Sequence, residues 1–230
     1  MKKEIIVLSL GGSLIIPDEI NLEYLKKFRK VIRKNTRKYQ FIIVCGGGNI
    51  ARKYISALRE SGISEELQSF AGISATRTNA RFMSYFFNQN PKSGIPQKME
   101  NVKKYLRKQN IVFCGALDYK PKQTSDSTSA QIAEHLKTRF INLTDVKGLY
   151  DKNPKQFRNA RLISKISWKD LYKMARKIKY KPGQHFVLDQ NAAKIIMNKK
   201  IPTYIMGNDL KQLDNLLNGR KFMGTIIGEQ

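Results

Sequence analysis

Two glycine clusters carry the most chemical content in this 230-residue chain, Gly11-Gly12-Ser13 and Gly46-Gly47-Gly48-Asn49. Each directly follows a short apolar run, Ile5 to Leu10 in the first case and Phe41 to Cys45 in the second. Glycine lets a backbone turn sharply and brings its N–H groups close to bulky oxygens, and a helix start adds partial positive charge. The second cluster opens into a helical pattern from Ile50 to Leu58 that carries Arg52 near its start, a side chain able to fork onto a phosphate. Tight turning alone would account for either cluster by itself. Two of them at matching ends of neighbouring strands point to phosphate binding.

Two further segments qualify. Thr124-Ser125-Asp126-Ser127-Thr128-Ser129 sets five hydroxyls and one carboxylate ahead of a helix expected from Ala130 to Leu136. Hydroxyls at a helix start suit phosphate or base recognition, and Asp126 is placed to orient lysines or a metal; a polar helix cap is the plain alternative. The run from Leu143-Thr144-Asp145 to Tyr150, followed by Asn153-Pro154, reads as a strand end entering a turn, where α/β sheets bind ligands. No Gly-Lys dipeptide occurs, which excludes the Walker A loop. Gly46-x-Gly48-x-x-Ala51 meets a loose dinucleotide fingerprint, with Glu65 or Glu66 near the spacing of a ribose-binding acid, but it leaves the first cluster unexplained.

The elements that must position these residues alternate between strand and helix along the whole chain, the rhythm of a mostly parallel α/β sheet with helices on its faces. Ile5 to Leu10, Phe41 to Cys45, Ile111 to Cys114, Phe140 to Leu143 and Thr203 to Ile205 have buried-strand length and composition. Asn21, Ser64, Ser167, Asp189 and Asn208 are expected helix N-caps, and Ser167-Trp168-Lys169-Asp170 has the form of a capping box. Pro91, Gly94 and Pro96 mark an internal loop between Asn88 and Met99.

Composition narrows the function classes. Cys45 and Cys114 both fall in apolar runs, so a core role is expected, with neither a disulfide framework nor zinc-ligand spacing; His135 and His185 form no local metal motif. Lys2-Lys3 and the apolar run after them imitate a signal peptide, but Glu4, the glycines and Pro17-Asp18-Glu19 break the pattern, so an intracellular protein is expected. The 43 Lys and Arg against 18 Asp and Glu give +25, which invites a nucleic-acid or acidic-lipid partner. The densest basic run, Lys26 to Lys38, is interleaved with Leu22, Leu25, Phe28 and Ile32, and so reads as the outer face of an amphipathic helix.

Taken in order, the motifs resemble the amino acid kinase superfamily, and most closely its archaeal-type uridylate (UMP) kinases. The resemblance rests on Ser9-Leu10-Gly11-Gly12-Ser13, Gly46 to Ile55, Gly72 to Ala80, Ser125-Asp126, Thr144 to Tyr150 and Leu188 to Ile196. It implies one three-layer αβα sandwich over residues 1–230, with an acceptor-binding half of about 1–120 and an ATP-binding half of about 121–230. It also implies transfer of the γ-phosphoryl of ATP to UMP with Mg²⁺, in pyrimidine nucleotide (CTP) biosynthesis in the cytoplasm, by a homo-oligomer that the family makes a hexamer. Gly11, Gly12, Ser13, Gly48, Arg52, Thr144, Tyr150 and Asn153 would face ATP. Gly47, Ser69, Lys120, Pro121, Lys122, Gln123, Thr124 and Ser125 would face UMP, with Asp126 and Arg52 in the catalytic roles and no dedicated protein metal site.

The chain departs from that family pattern at named places. Ser9 stands where many members carry a lysine, Ser69 falls near the position of a ribose-binding acid, and Lys147 and Asn153 replace aspartates. The run from Ala116 to Gln123 is longer and more basic. Two alternatives stay open at this point: another phosphotransferase of the same superfamily, such as an isopentenyl phosphate kinase, and a non-catalytic nucleotide- or RNA-binding protein on the same fold.

Overall fold

The structure, a computed structural model, describes residues 3–89, 94–119, 124–177 and 187–229. Its strands are β1 (Glu4–Leu10), β2 (Tyr39–Cys45), β3 (Ile111–Cys114), β4 (Arg139–Leu143), β5 (Lys165–Ser167), β6 (Thr203–Met206) and β7 (Thr225–Gly228). They form one sheet in the order β3-β2-β1-β4-β6-β7-β5, parallel from β3 through β6; β7 runs antiparallel to β6, and β5 is parallel to β7. The helices are α1 (Gly12–Ile15), α2 (Leu22–Asn35), α3 (Gly48–Glu60), α4 (Glu65–Phe86), α5 (Met99–Leu106), α6 (Ser125–His135), α7 (Trp168–Arg176), α8 (Gln190–Lys199) and α9 (Leu210–Leu217).

Alternation along β1 sorts the layers. Ile6, Leu8 and Leu10 join Phe28 of α2, Met83 of α4 and Leu213 of α9 in one core, whereas Val7 joins Val102 of α5, Ala130 of α6, Leu171 of α7 and Ala193 of α8 in the other. Side chains of successive strand residues point to opposite faces, so a central strand covered on both faces must be apolar throughout. Ser9 is the exception in β1, fully buried and facing α6. Cys45 and Cys114 are buried in β2 and β3 as expected, and burial pushes the Cys114 thiol up to about 12, which leaves it inert as a nucleophile.

The five anticipated strands all occur, and β5 and β7 add two short ones that the sequence reading missed. Asn21, Ser64, Ser167 and Asp189 cap helices by accepting backbone N–H bonds. The cap expected at Asn208 belongs instead to Asp209, whose carboxylate accepts the Lys211 N–H at 3.0 Å. The helix expected from Ala130 begins earlier, at Ser125, because Thr124 Oγ1 accepts the N–H groups of Asp126 and Ser127, each at 3.2 Å. The hydroxyls of Thr128 and Ser129 then bond back to the carbonyls of Thr124 and Ser125, which lets the polar run sit inside a helix. Lys120, Pro121, Lys122, Gln123 and His185 lie outside the described residues. Among the described residues no helix is long and apolar enough to cross a membrane.

Candidate functional site

The parallel strands deliver their C-terminal ends, and with them both glycine clusters, to one edge of the sheet. The chain steps from β1 outward to β2 and β3 and then returns to β4 on the other side of β1. That reversal opens a crevice beside β1, the position where open α/β sheets hold ligands.

The two glycine turns touch backbone to backbone. A side-chain carbon built at Gly12 would lie 2.0 Å from the Gly48 nitrogen, and one built at Gly46 would lie 2.5 Å from the Gly12 nitrogen. Gly48 also has φ +63, in the left-handed region that favours glycine. The Gly46 N–H donates to Leu10 O at 2.9 Å and the Gly11 N–H to Leu143 O at 3.0 Å, so the turns after β1, β2 and β4 are fastened to one another. The first N–H groups of a helix lack partners within it. At α3, which starts at Gly48, the Asn49 N–H donates to Ile16 O and the Ala51 N–H to Gly47 O, each at 3.3 Å, and the positive end of the helix dipole faces the edge where the turns meet. Arg52, the fifth residue of α3, is half-buried one turn further on.

Asp126 is brought to this place from α6. The Ser9 hydroxyl, two residues before Gly11, donates to Asp126 Oδ1 at 2.7 Å. Asp126 as a residue keeps some exposure, but its carboxylate is deep: burial raises its pKa from 3.8 to about 7, the charge of Asp189 adds to the rise, and the Ser9 bond opposes it. Asp189, the N-cap of α8, accepts hydrogen bonds from the hydroxyls of Thr124 and Ser127 (the latter at 2.8 Å) and from the N–H groups of Asn191 and Ala192. One carboxylate thus ties the starts of α6 and α8 together.

The remaining expected residues fall on either side. Thr144 follows β4, its N–H donating to Met206 O at 3.0 Å and its hydroxyl reaching Asp145 Oδ1 at 3.3 Å. Tyr150 bridges Leu162, and Asn153 is exposed, its side-chain oxygen accepting the Lys155 N–H at 3.0 Å. No hydrogen bond among the described residues joins Asn153 to the glycine turns. Ser69 lies on α4, and its hydroxyl bonds back to Glu65 O at 2.8 Å.

Sequence reading gave no role to the residues that brace the site from α4. Asn79 donates to Gly46 O at 2.8 Å, holding the second turn from below. Thr76 accepts the Ala116 N–H at 3.0 Å, and Arg77 donates to the carbonyls of Ala116, at 3.1 Å, and of Leu117. The signal was present in the Thr76-Arg77-x-Asn79 run, polar groups interleaved with the buried Ala75, Ala80 and Met83 of the same helix.

A second cleft, of about 830 Å³, lies at the opposite sheet edge and is lined by Glu4, Lys137, Arg139, Lys199 and Lys200 among others. Arg139 pairs with Glu4 and Lys199 with Glu134, and α6 and α8 turn their C-terminal ends, the negative poles of their dipoles, toward it. The glycine edge is the better anion site.

Comparison with known proteins agrees with this geometry. The model of the amino acid kinase family matches residues 4–207. A uridylate kinase of Thermoplasma acidophilum is 33% identical over 229 residues, covering 98% of this chain and 97% of that protein. One from Thermoplasma volcanium is 34% identical, covering 99% of each. The crystal structure of uridylate kinase from Archaeoglobus fulgidus superposes with a TM-score of 0.83 at 32% identity, over 97% of this chain and 99% of that one.

Proposed function

The chain belongs to the amino acid kinase family, and from that premise we propose that it is a uridylate kinase, transferring the γ-phosphoryl of ATP to UMP to give UDP and ADP. The observation that carries this reading is the backbone contact between Gly12 and Gly48. Two phosphate-binding turns that touch bring a donor and an acceptor phosphate to one point, and alignment is most of what phosphoryl transfer needs from a protein.

In this reading Gly11, Gly12, Ser13, Thr144, Tyr150 and Asn153 face ATP, and Gly47, Ser69, Thr124 and Ser125 face UMP, together with the segment from Lys120 to Gln123. Gly48 and Arg52 serve the transferring group, where backbone amides and the guanidinium offset repulsion between two anions. The acceptor oxygen of UMP is already ionised at neutral pH, so no general base is required. Asp126 organises the charge at the meeting point.

Mg²⁺ fits as a companion of the phosphates. Among the described residues no three histidine, cysteine or carboxylate groups cluster into a cage, and Asp126 supplies a carboxylate beside the turns. Mg²⁺ characteristically binds one or two carboxylates plus substrate phosphates and keeps its waters. When bound, it would neutralise charge on the transferring oxygens.

In this reading the enzyme works among the free nucleotides of the cytoplasm, supplying UDP toward CTP. A homo-oligomer, a hexamer by the family pattern, is supported by α3, which buries no residue fully although Ile50, Tyr54 and Leu58 recur at helical spacing, and by the exposed Ile63 and Leu67 beside it. Light scattering on the purified protein reads the mass directly.

The test of the function is a screen of acceptors with ATP and Mg²⁺. ADP release stimulated by UMP, and not by AMP, GMP or isopentenyl phosphate, is the expected result. Stimulation by none of the nucleoside monophosphates would sink the reading.

A further inference from the structure

The end of the sheet opposite the glycine turns collects cations to which the reading above gives no work. Strands β3, β2, β1, β4 and β6 are parallel, so all of them begin at that end, and α2, α5, α6 and α8, which feed β2, β3, β4 and β6, finish there. Arg37 and Lys38 lead into β2, and Arg107 and Lys108 lead toward β3. Lys137 and Arg139 enter β4, Lys199 and Lys200 stand ahead of β6, and Arg220 and Lys221 follow α9.

Hydrogen bonds hold these connections side by side. Asn110 receives the Lys3 ammonium at 3.0 Å on its side chain and the Phe41 N–H at 2.8 Å on its carbonyl, which ties the approach to β3 to β1 and β2. Lys38 donates to Asn218 Oδ1 at 3.0 Å, and Tyr39 to Leu217 O at 2.7 Å, which brings the end of α9 to the start of β2. The Phe140 N–H donates to Pro202 O at 3.0 Å and joins the starts of β4 and β6. The cleft of about 830 Å³ lies along this row, between Lys137, Arg139, Lys199 and Lys200.

A helix C-terminus carries the equivalent of about half a negative charge, so one cation per helix is enough to complement it. The pairs exceed that need. Glu4 and Glu134 occupy Arg139 and Lys199, but Arg37, Arg107, Lys108, Lys137 and Lys221 are exposed and have no acidic partner among the described residues. A compact anion gains more where the glycine turns meet; separate cations in a row suit a ligand whose charges are also in a row. From β3 to β6 the row spans about 19 Å, the length of about five successive phosphates on one strand of a duplex.

We propose that this face docks double-helical nucleic acid through its phosphates. No large hydrophobic side chain is exposed in these connections, so there is nothing to stack on unpaired bases or to enter a lipid layer. Phosphate contacts carry no sequence information, so the binding is general. It is independent of the uridylate kinase reading and shares no residue with the glycine edge.

The experiment titrates the full chain against a fluorescent 20-base-pair DNA duplex, and against an RNA duplex, over a series of KCl concentrations. One variant combines Arg37→Gln, Lys108→Gln, Lys137→Gln and Lys221→Gln. A second removes the same charge from the outer turns of α2 and α7 by Lys27→Gln, Lys30→Gln, Arg176→Gln and Lys177→Gln. The Trp168 indole donates to Ile201 O at 2.9 Å, so α7 starts at the basic end and finishes away from it. Both duplexes bind the native chain. In the first variant affinity at 100 mM KCl falls roughly a hundredfold and the slope of log affinity against log salt becomes shallower by about 3, the scale of four lost phosphate contacts. The second variant stays within about threefold of the native chain, and both keep its Tm within a few degrees. Absence of duplex binding by the native chain, equal losses in the two variants, or sedimentation with phosphatidylserine vesicles without duplex binding overturns the proposal.

Discussion

The Ser9 hydroxyl donates to Asp126 Oδ1 across 2.7 Å, linking the strand that carries the first glycine turn to the helix that carries the buried carboxylate. Ser9 is fully buried, so this bond has no competing water on the serine side. Ser9→Ala removes a donor that favours the charged form of Asp126. It should cost about 1 kcal/mol of stability, the usual worth of one hydrogen bond. It should also move the Asp126 titration upward, readable by carboxyl-carbon NMR; an unmoved titration would show that the bond does not set it.

Asp126 itself gives stability a pH dependence of definite sign. Its folded pKa, about 7, exceeds its ordinary 3.8 chiefly because of burial, so folding favours the protonated form. The stability gained from that proton is complete below 3.8 and is lost as pH rises through about 7. Asn has no proton to lose. Asp126→Asn should therefore gain in Tm relative to the native chain on going from pH 5 to pH 8, measured by calorimetry without ligands. A difference independent of pH would contradict the assignment.

Glycine substitutions separate contact from conformation. Gly12→Ala forces a carbon to within 2.0 Å of the Gly48 nitrogen, a collision with backbone that no rotamer relieves. The variant should lose phosphotransfer and fall several degrees in Tm. Gly62→Ala is strained by φ +70 but meets nothing within 4 Å, so it should cost about 1 kcal/mol and leave turnover intact. Equal effects of the two on turnover would mean that the turn contact is not needed.

Asn79 tests the bracing from α4. Asn79→Ala leaves the buried Gly46 carbonyl without its 2.8 Å donor, at a cost of about 1–3 kcal/mol. Because the second turn loses its support, KM for UMP should rise more than KM for ATP. A uniform change in both would place the effect on the whole fold instead.

What the sequence made legible follows the strength of the local signal. The five anticipated strands are rich in apolar and β-branched residues, and the glycine turns lie where β1 and β2 end. β5 (Lys165–Ser167) offers one apolar residue and β7 (Thr225–Gly228) two before a glycine, too few to stand out as a run, and both exist through their pairing with each other and of β7 with β6. The start of α6 lies five residues before Ala130 because Ser127, Thr128 and Ser129, which read as a polar approach and cap, have hydroxyls with partners that make them compatible with a helix. Ser9 reads as a departure from a family lysine, and its bond to Asp126, 117 positions away in sequence, is visible only once the fold joins them. Asp189 reads as a helix cap alone; its second task, holding Thr124 and Ser127, belongs to tertiary structure.

The central claim is that the touching turns pass a phosphoryl group from ATP to UMP. The direct measurement is to supply ATP labelled at the γ-phosphorus with UMP and Mg²⁺ and to follow the label by chromatography, for the native chain and for Arg52→Ala. Label should appear in UDP, with AMP and GMP remaining unlabelled, and Arg52→Ala should slow transfer about a hundredfold, the scale of losing one charge-stabilising group. Label that stays in ATP, goes to water as inorganic phosphate, or passes to UMP as fast in Arg52→Ala as in the native chain would contradict the account.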